Sequence, residues 1–313
     1  MNIALGSFLN NLTKQGSIDL HVHSTASDGS FSPEEVFILA KENQLNCLAL
    51  TDHDTNEGVL ELMDNHISLD QYMQDQQMNL WKLSKQIESQ NLLKSPLIIP
   101  GIELNVEFEK QNVHLLAYFS GYQIKNLNNF LKLQRKNRFV RNKKMINKLH
   151  ELNIPIPSNT LDPTFSEPVP GRVKTAKWLV KNDYVNSIQE AFDFYLGDNK
   201  AAYVPREKVK IEEALQVIDE ANGFPVIAHP HQYGWCQSQE LLNQKIQHLL
   251  KITQLGIEVF HSDASLEQQI LLWQCAEENN LFFTAGSDFH GANKEGHDMY
   301  TASDSPFNHY GKK

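Results

Sequence analysis

Ile18-Asp-Leu-His-Val-His-Ser-Thr-Ala-Ser-Asp28 decides how this chain is read. Ile18, Leu20 and Val22 alternate with Asp19, His21 and His23, and a period of two predicts a strand with one apolar and one polar face. His21 and His23 therefore leave the same face, roughly 7 Å apart at Cα, at the end of the strand. Two imidazoles placed this way can converge on one metal ion. The loop that follows is small and polar and ends in Asp28-Gly29. Paired histidines on an exposed strand are common, so a metal site needs more ligands from elsewhere in the chain.

Working outward, the same kind of strand ending recurs. Ser32-Pro33-Glu34-Glu35 supplies an N-cap, a proline at the first helical position and the glutamate of a capping box, predicting a helix to about Asn43. Residues 47–51 are a continuous apolar run, read as a buried strand, and it ends in Asp52-His53-Asp54. The run 96–106 holds Glu103 among Ile102, Leu104 and Val106, where a carboxylate is costly without a cation or hydrogen-bond partners. A strand at 113–119 carries His114, and the polar link 109–112 predicts a hairpin. Later strands end in His229-Pro230 and in Asp288-Phe-His290-Gly291, with 256–260 between them and helices at 211–221, 241–250 and 266–279. Residues 59–95 read as one or two surface helices without chemistry, and the last twenty residues as irregular.

Composition changes after Gly121. From Lys125 to His150 there are nine Lys or Arg residues and no acid, with Leu127, Leu131, Met145, Ile146 and Leu149 at helix-like spacing. One long basic helix is expected. Charge runs are usually solvated faces, but the absence of compensating acids points this one towards an anion. A Pro-rich linker at 154–170 and helices at 174–182 and 187–196 complete a helical insertion, 122–206, within a discontinuous domain formed by 1–121 and 207–313.

The 28 basic and 38 acidic residues give a net charge of −10, a poor balance for general binding of duplex nucleic acid that still admits a small phosphorylated substrate. Cys47, Cys236 and Cys275 show no pairing or metal-site spacing and read as reduced thiols of a cytoplasmic protein. The first seventeen residues carry one basic residue, Lys14, and no long apolar run, so neither a signal peptide nor a membrane span is expected. No Ser or Cys nucleophile with a base partner, phosphate-binding Gly-rich loop or dinucleotide fingerprint is evident.

Seven strands, near 18–23, 47–51, 97–106, 113–119, 225–229, 256–260 and 281–287, are separated mostly by helices. That pattern predicts a parallel α/β barrel, in which functional groups gather at the C-terminal strand ends. His21, His23, Asp28, His53, His229, Asp288 and His290 fall there, with Glu103 and His114 inside or near strands. Six histidines and three carboxylates converging on one rim predict a polynuclear metal site. Such ligands suit Zn, Mn or Fe, and clustered metals activate water and clamp the oxygens of a phosphoryl group. Asp19 and Asp52 neighbour ligand histidines and are candidates either to orient them or to bond at strand ends.

These motifs, Asp-Leu-His21-Val-His23-Ser with Ser-Asp28-Gly, Leu-Thr-Asp52-His53-Asp54-Thr, Pro-Gly-Ile-Glu103, His114, Ala-His229-Pro and Gly-Ser-Asp288-Phe-His290-Gly, resemble the ordered motifs of the PHP (polymerase and histidinol phosphatase) superfamily over nearly the whole chain. The insertion, with Gly171-Arg172, Ala176, Leu179-Val180, 191–197 and 202–205, resembles the branch of nucleoside 3′,5′-bisphosphate phosphatases and ribonuclease AM-type 5′→3′ exonucleases. The resemblance implies a distorted seven-stranded TIM-like barrel with three divalent ions, Mn favoured over Fe or Zn. His21, His23, Glu103 and Asp288 would hold the first. Glu103 would bridge to a second ion with His114 and His229, and Asp28, His53 and His290 would hold the third.

It further implies a metal-bridging hydroxide attacking phosphorus, with Glu103, Asp288 and His229 at the chemistry. Arg172, Arg138 and Lys174 of the insertion would meet the substrate phosphate, and the substrates would be nucleoside bisphosphates or short single-stranded RNA, with no stable protein partner. Val173-Lys174 stands where the family usually has Pro-His, and His231-Gln232 where it often has Gly-Arg; both bear on substrate preference rather than on the metal set. Alternatives are a histidinol phosphate-type phosphatase, a non-catalytic metal-binding module and a metal-dependent hydrolase of a carbonyl substrate.

Overall fold

Leu5, Phe8, Leu9 and Leu12 recur at helical spacing, and their apolar stripe makes the first described element a helix, α1 (Ile3–Gln15), capped by Asn2. The computed structural model describes residues 2–90, 93–157, 172–205, 208–294 and 296–302. Of the expected Pro-rich linker, 158–170 lie outside the described residues, as do Gly171 and 303–313 of the expected irregular tail.

After α1 come β1 (Ile18–Val22), α2 (Pro33–Glu42), β2 (Cys47–Leu50), α3 (Glu57–Asn65), α4 (Leu69–Asp75), α5 (Leu80–Gln90), β3 (Leu97–Ile98), β4 (Gly101–Phe108) and β5 (Gln111–Tyr118). A short 3-10 turn at Tyr122–Leu127 leads into α6 (Asn128–Glu151), then α7 (Arg172–Lys181) and α8 (Ile188–Ala191). The rest is β6 (Val209–Lys210), α9 (Ile211–Glu220), β7 (Phe224–Ile227), α10 (Gln239–Leu250), β8 (Gly256–His261), α11 (Leu266–Glu278) and β9 (Phe282–Gly286). The capping box of α2 forms as its sequence dictates: the Ser32 side chain accepts the Glu35 N–H, and the Glu35 carboxylate accepts the Ser32 N–H.

The architecture is α/β, but it differs from the sequence expectation in three ways. There are nine strands among the described residues, not seven. Pro100 has no N–H to give to a ladder, and it divides the run 97–106, so that β3 pairs with β2 while β4 pairs with β5. The arrangement is also mixed rather than parallel. One sheet, β1-β2-β3, is parallel, but in the other, β6-β4-β5-β7-β8-β9, the β4–β5 hairpin and the β5–β7 pair run antiparallel. The sheets do not close into one ladder; isolated bridges, Val22 to Phe289 and His53 to Glu103, join them.

Residues 59–95 carry three helices rather than one or two. They are not merely surface, because Leu69, Leu83 and Ile87 enter the same core as Leu5, Phe8, Leu20, Cys47, Phe224 and Val226. Burying each such side chain is worth about 1.5–3 kcal/mol, so this stretch helps hold the strands that carry the site.

Two compact units divide the chain, 1–128 with 209–313, and 129–208. The second has a core of its own from Met145, Ile146, Leu149, Ala176, Leu179 and Leu196. Among the described residues no helix is long and apolar enough to cross a membrane.

Candidate metal centre

In the first unit, β1 hands over His21 and His23, and the turn after it Asp28; His53 follows β2; β7 leads to His229, and β9 to Asp288 and His290. Glu103 and His114 come from the β4–β5 hairpin. There Glu103 pairs with Leu116 and Asn105 with His114, so the alternation of side chains puts Glu103 and His114 on one face. Three of the supporting residues have backbone in the left-handed region: Asp54 (φ 52°), His229 (φ 28°) and Asp288 (φ 55°). Such conformations cost about 1–3 kcal/mol each and persist where the surroundings enforce them. Gly286 is required for a different reason, since a Cβ there would overlap His21.

The structure brings all nine expected ligands together around Glu103, which is fully buried. His21 Nε2 and His23 Nε2 lie 3.1 Å from Glu103 Oε2, and His53 Nδ1 lies 3.0 Å from it. On the other oxygen, Oε1, are His114 Nδ1 at 2.8 Å and His229 Nε2 at 3.1 Å. Asp288 Oδ1 is 3.5 Å from His21 Nε2 and 3.2 Å from His23 Nε2. Asp28 reaches His290 Nε2 at 3.2 Å and His53 Nε2 at 3.8 Å.

Among the described residues five sets have ligand atoms within 4.8 Å of one another, and three of them are made of the expected ligands alone: His21, His23, Glu103 and Asp288; His53, Glu103 and His114; His23, Asp28, His53 and His290; a fourth is His21, Glu258 and His261. A metal ion fits these sets on a specific observation. His21 Nε2, both ring nitrogens of His23, His53 Nδ1, His114 Nδ1 and Glu103 Oε2 are buried and make no hydrogen bond. Lone-pair donors crowded together without hydrogen-bond geometry need a cation among them.

Charge follows the same logic. Burial pushes the Glu103 carboxyl up, but the imidazoles of His53, His21 and His114 outweigh it and hold it well below the carboxylate range. Burial alone would lower His23; its contacts with Asp288 and Glu103 prevail and raise it to about 10. For His21, too, burial is outweighed, by Glu103, Glu258 and Asp288, and the ring is held well above its usual value. Burial dominates at His53 and His229, which fall to about 4. In the metal-free protein His21 and His23 therefore carry protons at neutral pH. A metal must displace them, so ion uptake should release protons and strengthen as pH rises through neutrality towards about 10, the value to which His23 is raised. Titrating weakly buffered protein with Mn(II) checks this, and uptake without acidification contradicts it.

Asp19 and Asp52 do not orient imidazoles; they bond at strand ends. Asp19 accepts the N–H groups of His21, Ser287 and Tyr300, and Asp52 accepts from the Ser24 amide and hydroxyl and the Ser27 hydroxyl. The residue that orients His21 is Glu258, which sequence reasoning missed. Its Oε1 lies 3.0 Å from His21 Nδ1 and its Oε2 accepts the His229 N–H at 2.8 Å. This contact fixes His21 with Nε2 towards the centre. The signal was present: Glu258 sits between Ile257 and Val259, as Glu103 sits between Ile102 and Leu104. Lys294 was also missed, and its Nζ stands 2.5 Å from Asp288 Oδ2.

Arg172, Arg138 and Lys174 belong to the second unit. Arg172 bonds within it, Nη1 donating to the Leu196 carbonyl at 3.0 Å and to Asp198 Oδ1 at 3.1 Å, with the guanidinium 5.5 Å from the Phe192 ring.

Comparison with known proteins gives the same direction. The chain is 27% identical over 272 residues to the 5′-3′ exoribonuclease Rnm of Escherichia coli, covering 87% of this chain and 84% of that one. It is 27% identical over 294 residues to the 3′,5′-nucleoside bisphosphate phosphatase of Chromobacterium violaceum, covering 93% of each. Among solved structures, an amidohydrolase from Chromobacterium violaceum with bound sulfate superposes with a TM-score of 0.68 at 26% identity, covering 92% of this chain and 93% of that one. The family model described as the PHP domain matches residues 19–259, and with that match the chain belongs to the PHP domain family.

Proposed function

We propose that this chain is a metal-dependent phosphoesterase that removes phosphate from nucleoside 3′,5′-bisphosphates and trims short single-stranded RNA from a 5′-phosphorylated end. The observation that carries the reading is Glu103, a buried carboxylate with imidazoles of five histidines at 2.8–3.1 Å. The names of the Escherichia coli and Chromobacterium violaceum relatives support the substrate class. Three divalent ions, manganese favoured, would be held by His21, His23, Glu103 and Asp288; by Glu103, His114 and His229; and by Asp28, His53 and His290. The two open sheets and their bridges are compatible with a distorted barrel as the scaffold.

Bound metals of this kind activate water and neutralise phosphoryl oxygens. The chain's own part is to fix the ligands. Glu103 and Asp288 supply compensating negative charge, Glu258 sets the His21 ring, and the strained backbone at His229 aims its side chain. Arg172, with Arg138 and Lys174, is assigned to the substrate phosphate.

The test is product analysis on adenosine 3′,5′-bisphosphate and on end-labelled RNA. The expected result is release of one phosphate from the bisphosphate and stepwise cleavage from the 5′ end of single strands. Duplex RNA should resist, and rates should fall only modestly with salt because few phosphates are neutralised. Internal cleavage, or equal rates on duplex, contradicts trimming of single strands from the 5′ end. The amidohydrolase name of the solved relative favours a second reading, attack at a carbonyl carbon by the same centre; turnover of amides with none of phosphate esters would select it.

Arg172→Lys keeps the charge and loses the planar fork, and should lower kcat/KM by about 1–3 kcal/mol without changing metal content. Asp198→Ala is its control, because it removes only an internal partner of Arg172. An equal loss in both variants shows that Arg172 acts inside its own unit and not on substrate.

A further inference from the structure

We propose that His231, His261 and Asp263 form an additional site for a divalent transition-metal ion, separate from the nine residues around Glu103. The three come from different places in the chain: the short turn after β7, the end of β8, and the loop two residues beyond it. Asp263 Oδ1 receives both rings, His231 Nε2 at 2.5 Å and His261 Nδ1 at 2.6 Å. Its other oxygen accepts from Gln232 Nε2 at 3.0 Å, which aims Oδ1 at the histidines.

The Asp263 amide N–H also lies 3.3 Å from His261 Nδ1, so backbone and side chain of Asp263 both face that nitrogen. At 2.5 and 2.6 Å the two rings donate to the carboxylate in the metal-free protein, and a divalent ion would replace those protons. One proton serves one such pair, whereas a metal ion serves all three donors, which lie within 4.8 Å of one another.

The surroundings suit an ion. The His261 side chain is fully buried and that of His231 is 5% exposed, while Asp263 at 38% leaves a way in from solvent. His297 stands beside the group, its Nε2 3.8 Å from Asp263 Oδ2 and its Nδ1 2.8 Å from Ser262 Oγ, which turns Nε2 towards the site. Two imidazoles and one carboxylate with open positions are a donor set for Zn(II), Fe(II), Mn(II) or Co(II). His231 and Gln232, where the sequence departs from the family pattern, supply a ligand and the bond that aims another. The far side of His261, Nε2, lies 3.5 Å from Asp288 Oδ2, so an ion here would share a wall with the centre around Glu103.

The experiment is cobalt loading of the full chain. Wild type, His231→Ala and Asp263→Asn are saturated with Co(II), freed of excess and analysed for cobalt and visible absorption. Each variant should hold about one equivalent less than wild type and lose part of the absorption. His231→Cys should restore the equivalent and add a near-ultraviolet thiolate-to-cobalt band, which no structural role of His231 would produce. Equal cobalt in wild type and both loss variants, or a cysteine variant without the band, overturns the proposal. The cysteine arm decides the matter even if a loss variant fails to fold. Cobalt is counted whether or not the protein turns over a bisphosphate, so failure here and failure of the proposed activity are read separately.

Discussion

Glu103→Gln should give a folded protein that has lost turnover and much of its metal. The substitution keeps the side chain's volume and removes its charge. That charge faces His21, His23 and His53 on one oxygen and His114 and His229 on the other, all within 3.1 Å. An amide nitrogen cannot ligate in place of a carboxylate oxygen, so both sides of the cluster lose a shared anionic donor. Removing one charge from a buried, mutually compensated set costs about 3–5 kcal/mol, and the expected fall in kcat/KM is about a thousandfold or more. Circular dichroism and elemental analysis on the same sample separate this outcome from unfolding. A variant with wild-type turnover shows that Glu103 is not the shared ligand.

Glu258→Gln should be the next most damaging change, although Glu258 belongs to none of the three ligand sets around Glu103. One carboxylate oxygen meets His21 Nδ1 and the other accepts the His229 N–H. An amide can satisfy one of these contacts but turns its NH2 against the other. Loss of such a supporting carboxylate typically costs 10–100-fold in metal affinity or activity, and that is the expected range for Mn(II) affinity here. Unchanged affinity with reduced turnover would place Glu258 at the reaction itself; no change in either would remove it from the account.

Most of the site was legible because strands announce their ends. His21-x-His23, Asp52-His53-Asp54 and Asp288-x-His290 each follow an apolar run, and polar clusters at so many strand termini point to a candidate functional rim. Glu103 was legible from its cost, a carboxylate in an apolar strand. The same rule applied to Glu258 would have found it, but 256–260 ended without a polar cluster within its bounds, and His261 lay one residue beyond. His261 and Asp263 are brought beside His231 only by the pairing of β7 with β8, which local sequence does not encode.

Strand pairing was the least legible part. The run 97–106 reads as one strand, yet Pro100 lets its halves join different sheets. The hairpin at 109–112 was visible and makes β4 and β5 antiparallel, but the antiparallel β5–β7 pair depends on a long-range contact. The helix α1 was legible in Leu5, Phe8, Leu9 and Leu12 had the stretch been read for periodicity, not only for targeting signals. Residues 59–95 look polar because only one side of each helix is apolar, and Leu83 and Ile87 reach the core from that side.

The central claim is that buried, unsatisfied ligands around Glu103 hold metal that performs phosphoester hydrolysis. It is tested most directly by stripping the protein with chelator, confirming by circular dichroism that it remains folded, and adding Mn(II) back stepwise while following bound metal and phosphate release from adenosine 3′,5′-bisphosphate. The account predicts no release from stripped protein and recovery in step with metal bound. Stripped protein that releases phosphate at the loaded rate would contradict it.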